Sequence, residues 1–237
     1  SQIGHRWLEG NVLGNLASLH GRQGRPSEAE ALLHRAIAMH RDVGDRNGET
    51  MALTNLGNVR RTQGRLAEAG HYYEEALAIA REIEERRGAS LLLAELAGLR
   101  FDDGLLEESR QLLDEALAFS RAVGDRVQEG EVLGRVARLA RLLGDPTEAA
   151  ALAARAVEIM LDLALTAFRL TDPAIKALIE REDGHALKAG DAIAVLEGPA
   201  RGLLTGERVA LNLLCHLSGI ASATAAIVAA VRPHKAR

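Results

Sequence analysis

The sequence predicts a mainly α protein made of stacked helical hairpins, followed by a small, incomplete α+β segment. A glycine that opens a Gly-x-x-x-Glu-Ala-like stretch recurs at Gly24, Gly64, Gly104 and Gly144, which gives a period of 40 residues without a slip. Hydrophobic residues make up 47% of the chain and aromatic residues only 3%, so alanine and leucine carry the apolar load, which favours helices. A fixed period of this size is typical of repeat proteins. The repeat ends near residue 164, where the composition changes.

Each 40-residue unit contains two helical patterns. In the first unit, Leu13, Leu16 and Ala17 share one helix face at spacings of three and four. Gly24 is expected to end this first helix, because glycine adopts the left-handed conformation found after helix C-termini. Ser27 is expected to cap the second helix. The turn to the next unit is expected at Gly44-Asp45.

Small residues recur in register on both helices of every unit. They are expected to let paired helices approach closely, while leucines fill the remaining space. The first-helix set is Ala17, Gly57, Ala97 and Ala137, and the second-helix set is Ala36, Ala76, Ala116 and Ala156.

The first residues also match the repeat. Gly4 and Arg6 align with Gly44 and Arg46, one period later. We therefore expect a helix to end near Gly4, so that the chain begins inside the second helix of a preceding repeat.

These motifs, Leu-x-x-Leu-[Ala/Gly] in the first helix and then Gly-x-x-x-Glu-Ala, resemble those of tetratricopeptide repeats, with a period longer than the usual ~34 residues. The resemblance covers residues 1–163. It implies a helical-hairpin superhelix with a right-handed twist, whose concave face is lined by first helices and binds a protein or peptide.

Aligning the motif places Asn15, Asn55 and Asn58 on or near that concave face, with Arg135 and Arg138 at the matching positions of the last unit. Asparagines there could hold a peptide backbone, and arginines could hold a carboxylate. The alternative is an ordinary solvated helix face, since polar groups on an exposed helix need no further cause.

No helix-breaking residue appears between Thr147 and Leu170, so the last second helix is expected to continue to about Arg169. Asp172 then looks like the cap of a short helix over residues 174–181, which has Ile175 among its apolar positions.

The remaining residues indicate a short β-hairpin and two apolar helices. Turn signals at Asp183-Gly184 and Gly190-Asp191 precede a strand expected over residues 192–196. The helices are expected over residues 199–217 and 220–231.

The run Glu-Gly-Pro-Ala-Arg-Gly-Leu-Leu-Thr-Gly-Glu-Arg-Val-Ala-Leu-Asn, starting at Glu197, closely resembles quinolinate phosphoribosyltransferase, and the resemblance extends over about residues 166–237. That family converts quinolinate and phosphoribosyl pyrophosphate to nicotinate mononucleotide, using magnesium. The resemblance implies that Arg208 contacts a quinolinate carboxylate, a role that the two-pronged guanidinium suits. It also implies that most catalytic groups belong to a barrel that this sequence does not contain.

The sequence therefore supports two functional hypotheses. The first is a protein- or peptide-binding repeat module, residues 1–163, joined to a truncated and inactive segment of the enzyme's N-terminal sandwich domain, residues 164–237. On this hypothesis the chain has no catalytic residue and needs no cofactor or metal. The alternative is part of a nicotinate-nucleotide pyrophosphorylase, which would need magnesium and the missing barrel. The sequence leaves enzymatic activity open.

Composition narrows the expected partners. The formal net charge of −4 argues against nucleic-acid binding. The longest apolar run, residues 220–231, is too short to cross a bilayer. Cys215 is the single cysteine, which fits a cytoplasmic location. Apolar tail helices without their usual packing partners are expected to promote self-association.

Overall fold

Paired antiparallel helices account for most of the computed structural model, which describes residues 2–179, 194–203 and 205. The chain divides into two units, residues 1–123 and 124–237. The first unit contains α1 (Gln2–Arg22), α2 (Pro26–Val43), α3 (Arg46–Thr62), α4 (Leu66–Glu82), α5 (Arg86–Asp102) and α6 (Leu106–Val123). The second contains α7 (Arg126–Leu142), α8 (Pro146–Thr171), β1 (Lys176–Ile179) and β2 (Ala194–Glu197). We call α1, α3, α5 and α7 the first helices of their hairpins.

The predicted turns within the hairpins are confirmed. Gly24, Gly64, Gly104 and Gly144 follow helix ends with φ between +72° and +90°. This left-handed region is accessible to glycine at little cost, whereas a side chain would be strained there. The turn between α4 and α5 instead has Glu84 at φ 56°.

Acidic side chains cap the starts of α3, α5 and α7. Asp45 accepts a hydrogen bond from the Gly48 N–H at 2.9 Å, and Glu85 and Asp125 make equivalent contacts. Such caps stabilise a helix by about 1 kcal/mol. The helix end expected near Gly4 is wrong: α1 continues through it. The capping position there is His5, which offers no carboxylate.

The prediction that Ser27 caps α2 is also wrong. The helix begins two residues earlier than that cap requires, at Pro26, and its capping residue is Arg25, which makes no side-chain cap hydrogen bond. Proline suits the first helical position because its missing N–H would have no helical partner there.

The small residues lie in the core as predicted. Ala36, Ala76, Ala116 and Ala156 are fully buried on the second helices. Ala17, Ala97 and Ala137 are buried on first helices, and Gly57 occupies the same register.

Helix α8 runs without a break to Thr171, which confirms that it extends beyond the last repeat. The Asp172 N–H then donates to the Phe168 carbonyl, and its carboxylate accepts from the Ala174 N–H at 2.9 Å. Asp172 therefore ends α8 and does not cap a new helix.

The helix expected over residues 174–181 is wrong. Residues 176–179 form strand β1 instead, which pairs antiparallel with β2 so that Lys176 faces Glu197. Ile175 packs with Ala164 and Phe168 of α8, and Leu196 and Leu203 contact this cluster. The strand expected over residues 192–196 is confirmed at Ala194–Glu197, and helix begins again at Ala200. The expected helix over residues 220–231 and most of that over 199–217 lie outside the described residues.

Candidate functional site

Exposed and half-buried residues recur in register along one side of the first helices of the first unit. They follow each other at spacings of three, four or seven residues, so they share a helix face. We call this surface the first-helix face. It comprises Trp7, Asn11, Asn15 and Ser18 on α1; Asn47, Met51, Asn55 and Asn58 on α3; and Arg87, Leu91, Gly98 and Phe101 on α5.

Trp7, Met51 and Leu91 are exposed apolar side chains on this face, and two of them are in register. Met51 is 61% exposed and Leu91 is 41% exposed, at equivalent positions of α3 and α5. Leu53 and Leu56 on the opposite side of α3 are fully buried, so the helix already has its core-facing stripe. Met51 and Leu91 therefore form a second apolar position, outside the core-facing stripe and in register on two successive first helices.

The predicted asparagines all belong to this face. Asn15 is exposed on α1, whereas Asn55 and Asn58 are half-buried on α3. The hydroxyl of Tyr73, on α4, donates to Oδ1 of Asn58 at 2.7 Å. This bond orients the amide, so Asn58 can offer a ligand only its NH2 group and the second lone pair of Oδ1.

The predicted arginines belong to the second unit. Arg135 is half-buried and Arg138 is exposed, both on α7, and both already take part in polar interactions within the protein. By the 40-residue period, Arg135 occupies the position of Asn15 and Asn55, and Arg138 that of Asn58.

Sequence reasoning missed an ion pair that joins α3 to α5. Nη1 of Arg61 lies 3.3 Å from Oε2 of Glu95, which is almost fully buried. Glu95 occupies the position of Asn15 and Asn55 one repeat later, so aligning the repeats could have shown that this position changes from amide to acid. The pair ties the two helices that carry Met51 and Leu91.

A second cluster of charges surrounds the start of α3. The buried carboxylate of Glu49 accepts from Arg41 at 2.5 Å and from Arg46 at 2.7 Å. The hydrogen bond to Glu49 raises the pKa of Arg41, and a hydrogen bond to Glu82 raises the pKa of Arg46. Both arginines are therefore charged throughout the neutral range, and they compensate a carboxylate that would be costly to bury alone.

The tail contributes little to a described site. Arg208, the residue expected to contact quinolinate, lies outside the described residues. Arg201 is exposed at the start of the last described helix. Within residues 2–179, 194–203 and 205, no group of three or more histidine, cysteine, aspartate or glutamate side chains is arranged to hold a metal ion. Among the same residues, no helix is long and apolar enough to cross a membrane.

The sequence model of the tetratricopeptide-repeat family matches residues 8–82 and 89–162, which together exceed half of the chain. The chain belongs to the tetratricopeptide-repeat family. Repeats of this family generally mediate protein interactions. The Bacillus subtilis aspartyl phosphate phosphatase F has a similar fold, with a TM-score of 0.63, 8% identity, and coverage of 70% of this chain and 44% of that protein. A tetratricopeptide-repeat sensor of a signal-transduction ATPase from Pyrococcus horikoshii gives a TM-score of 0.60 at 18% identity, covering 70% and 26% of the two chains.

A second family model, for the N-terminal domain of quinolinate phosphoribosyl transferase, matches residues 154–218. The chain is 50% identical over 62 residues to the nicotinate-nucleotide pyrophosphorylase of Mycobacterium leprae. This match covers 26% of the chain and 22% of the relative, so the chain spans about a fifth of that protein. The resemblance inferred from Glu197 onwards is thereby confirmed as a match to part of the enzyme.

Proposed function

We propose that this chain is a protein- or peptide-binding module whose ligand lies across the first-helix face. The observation that supports the proposal is the exposure of Met51 and Leu91 in register on adjacent first helices, with asparagines beside them. An extended peptide could bury an apolar side chain against each residue, while asparagine amides bind its backbone. Because Cys215 has no second cysteine to pair with, we place this module in the cytoplasm.

The test is to select short peptides from a random library displayed on phage, using the full chain as bait. Affinities of the selected peptides are then measured by fluorescence anisotropy. Met51→Asp and Leu91→Asp should each weaken binding by roughly 10- to 100-fold, since a buried apolar side chain contributes about 1.5–3 kcal/mol.

Leu105→Asp is the matched control. Leu105 is 44% exposed, close to the value for Leu91, but it lies in the turn before α6 and not on the first-helix face. Equal losses in all three variants, or no selected peptide at all, would count against the proposal.

The match to the enzyme supports a second candidate, part of a nicotinate-nucleotide pyrophosphorylase. We infer that the chain alone is inactive, because its relative is about five times longer than the matched part. The assay follows carbon dioxide release from carboxyl-labelled quinolinate with phosphoribosyl pyrophosphate and magnesium. Turnover above a no-protein control would favour the enzyme, and Arg208→Ala should then reduce it.

A further inference from the structure

An ion pair recurs in the helical hairpins, away from the turn that joins the two helices of each hairpin. Each pair joins an arginine in the first two turns of the first helix to an acid 36 residues later on the second helix. The distances are 2.5 Å for Arg6–Asp42, 2.5 Å for Arg46–Glu82 and 3.1 Å for Arg126–Asp162. The backbone of the hairpin therefore places this arginine where a carboxylate can reach it.

The third hairpin keeps the arginine and lacks the acid. Arg86 begins α5, but the position 36 residues later is Ala122, an exposed methyl group near the end of α6. Throughout the described part of the chain, no carboxylate forms an ion pair or hydrogen bond with Arg86. The guanidinium is thus exposed in a position that accepts a carboxylate in the other hairpins.

An open depression of about 600 Å³ lies beside Arg86. Ile83 and Val123 supply apolar walls, and Asn47 supplies a side-chain amide from the start of α3. Asn47 stands one helical turn before Met51, so the depression adjoins the first-helix face. A ligand on that face would have one end next to Arg86.

Acidic groups in the depression limit how a ligand can be attracted. Glu85 is engaged in capping α5, through the N–H groups of Arg87 and Gly88. Glu84 is exposed at the rim and offsets part of the positive charge. Attraction at long range is therefore weak, and recognition depends on direct contact with Arg86.

We propose that Arg86 binds an acidic side chain of a peptide ligand, in the position that an acid of the same chain occupies in the other hairpins. The inference rests on the proposed peptide-binding function and specifies its ligand as one with a glutamate or aspartate beside an apolar residue. The carboxylate accepts from the guanidinium, and the apolar neighbour packs between Ile83 and Val123.

A direct test uses a probe that is independent of the selected peptides. The Nε–H resonance of Arg86, assigned by its loss in Arg86→Lys, is followed by NMR while the full chain is titrated with acetyl-leucyl-glutamate amide. A saturable shift is expected. Acetyl-leucyl-glutamine amide, which has no carboxylate, should give none.

Ala122→Glu rebuilds the missing pair within the chain and should abolish the response. Ala38→Glu adds the same charge at an exposed alanine of α2 and should leave the response unchanged. In selected peptides, replacing the acid with its amide should weaken binding about two- to five-fold, the range that an exposed ion pair supplies.

The outcomes separate this inference from the proposed function. No shift at Arg86, or an equal shift in Ala122→Glu, overturns the inference even if peptides still require Met51 and Leu91. A shift that Ala122→Glu abolishes supports it, even if peptide selection on the first-helix face fails.

Discussion

The second and third hairpins, α3–α4 and α5–α6, share a backbone design and differ in how they fill it. Helices α3 and α5 each have 17 residues and begin 40 residues apart, at Arg46 and Arg86. Between α3 and α4, the ring of Tyr73 is fully buried over Gly57. The equivalent positions of α5 and α6 hold Ala97, which is larger than glycine, and Leu113, which is smaller than tyrosine.

The two hairpins also bury different polar groups. The second buries the carboxylate of Glu49 between two arginines, whereas the third has Ala89 at that position. The third instead buries the hydroxyls of Ser90 and Ser109, each of which donates to a helix carbonyl at 2.8 Å. The repeat therefore fixes helix spacing, while each hairpin fills its core volume and satisfies its buried polar groups with its own residues.

Removing the large ring of the second hairpin should have the largest effect. Tyr73→Ala loses a fully buried aromatic side chain and its hydrogen bond to Asn58, so the free energy of unfolding should fall by about 3–5 kcal/mol. Urea unfolding followed by circular dichroism measures the change. Tyr72→Ala, at the half-buried neighbour, is the control and should lose less than half as much. Similar losses would show that the ring does not determine the packing.

The buried carboxylate gives the next largest effect. Arg41→Ala combined with Arg46→Ala leaves Glu49 without these partners, which should cost about 2–3 kcal/mol in urea unfolding. Adding Glu49→Ala should recover part of this loss, because the third hairpin has Ala89 there.

Arg81→Ala removes an exposed pair with Glu115 and should lower the free energy of unfolding by at most about 1 kcal/mol.

Because the folded-state pKa of Arg41 is raised, its contribution to stability is present at all pH values below its unfolded pKa and is lost only at strongly alkaline pH. A loss of this contribution between neutral pH and pH of about 9 would contradict the assignment.

Replacing Gly57 and Tyr73 with their counterparts in the third hairpin, alanine and leucine, tests whether the volumes of the two residues are coupled. A Cβ on Gly57 would collide with the Tyr73 ring, so Gly57→Ala should cost about 1–3 kcal/mol. With Tyr73→Leu, which copies the third hairpin, the Gly57→Ala substitution should cost much less, and a double-mutant cycle measures the coupling. Gly98→Ala faces open space and should stabilise α5 by about 0.5–1 kcal/mol, through helix propensity. Additive changes in the free energy of unfolding for the Gly57 and Tyr73 substitutions would show that the volumes of the two residues are not coupled.

A small effect should also come from a buried hydroxyl of the third hairpin. Ser109→Ala removes a hydrogen bond to the Ala97 carbonyl and should cost about 0.5–1.5 kcal/mol by thermal or urea unfolding. Ser27→Ala is the control and should change stability by a few tenths of a kcal/mol at most, because Ser27 is exposed and does not cap α2. A larger effect at Ser27 would indicate a role that its position does not explain.

The repeat made much of the fold predictable. The left-handed glycines and the long α8 follow from local chemistry, since a helix ends where a suitable residue occurs and continues where none does. The segment after Asp172 was predicted wrongly because its apolar spacing fits a helix, while its observed state depends on pairing with residues 194–197. Pairing between distant segments overrides a short local pattern.

The candidate site was predictable in part. The period placed Asn58 on the first-helix face, but its bond to Tyr73 depends on how α3 and α4 pack. The exposure of Met51 was missed because methionine is usually counted as a core residue. The unpaired position of Arg86 within the described residues could have been predicted from the sequence, because residue 122 is an alanine where the other hairpins have an acid 36 residues after the arginine.

Because α8 is one continuous helix, it fixes the rotation of the segment after the repeats relative to the last hairpin. Its first half buries Ala153, Ala156 and Ile159 in the last hairpin, and its second half directs Ala164 and Phe168 towards Ile175. Each residue added to a helix rotates everything after it by about 100°. A one-residue insertion between these halves would turn Phe168 away from its cluster, whereas seven residues, nearly two full turns, would restore its direction. Joining these segments through one helix therefore permits changes in linker length mainly in steps of about seven residues.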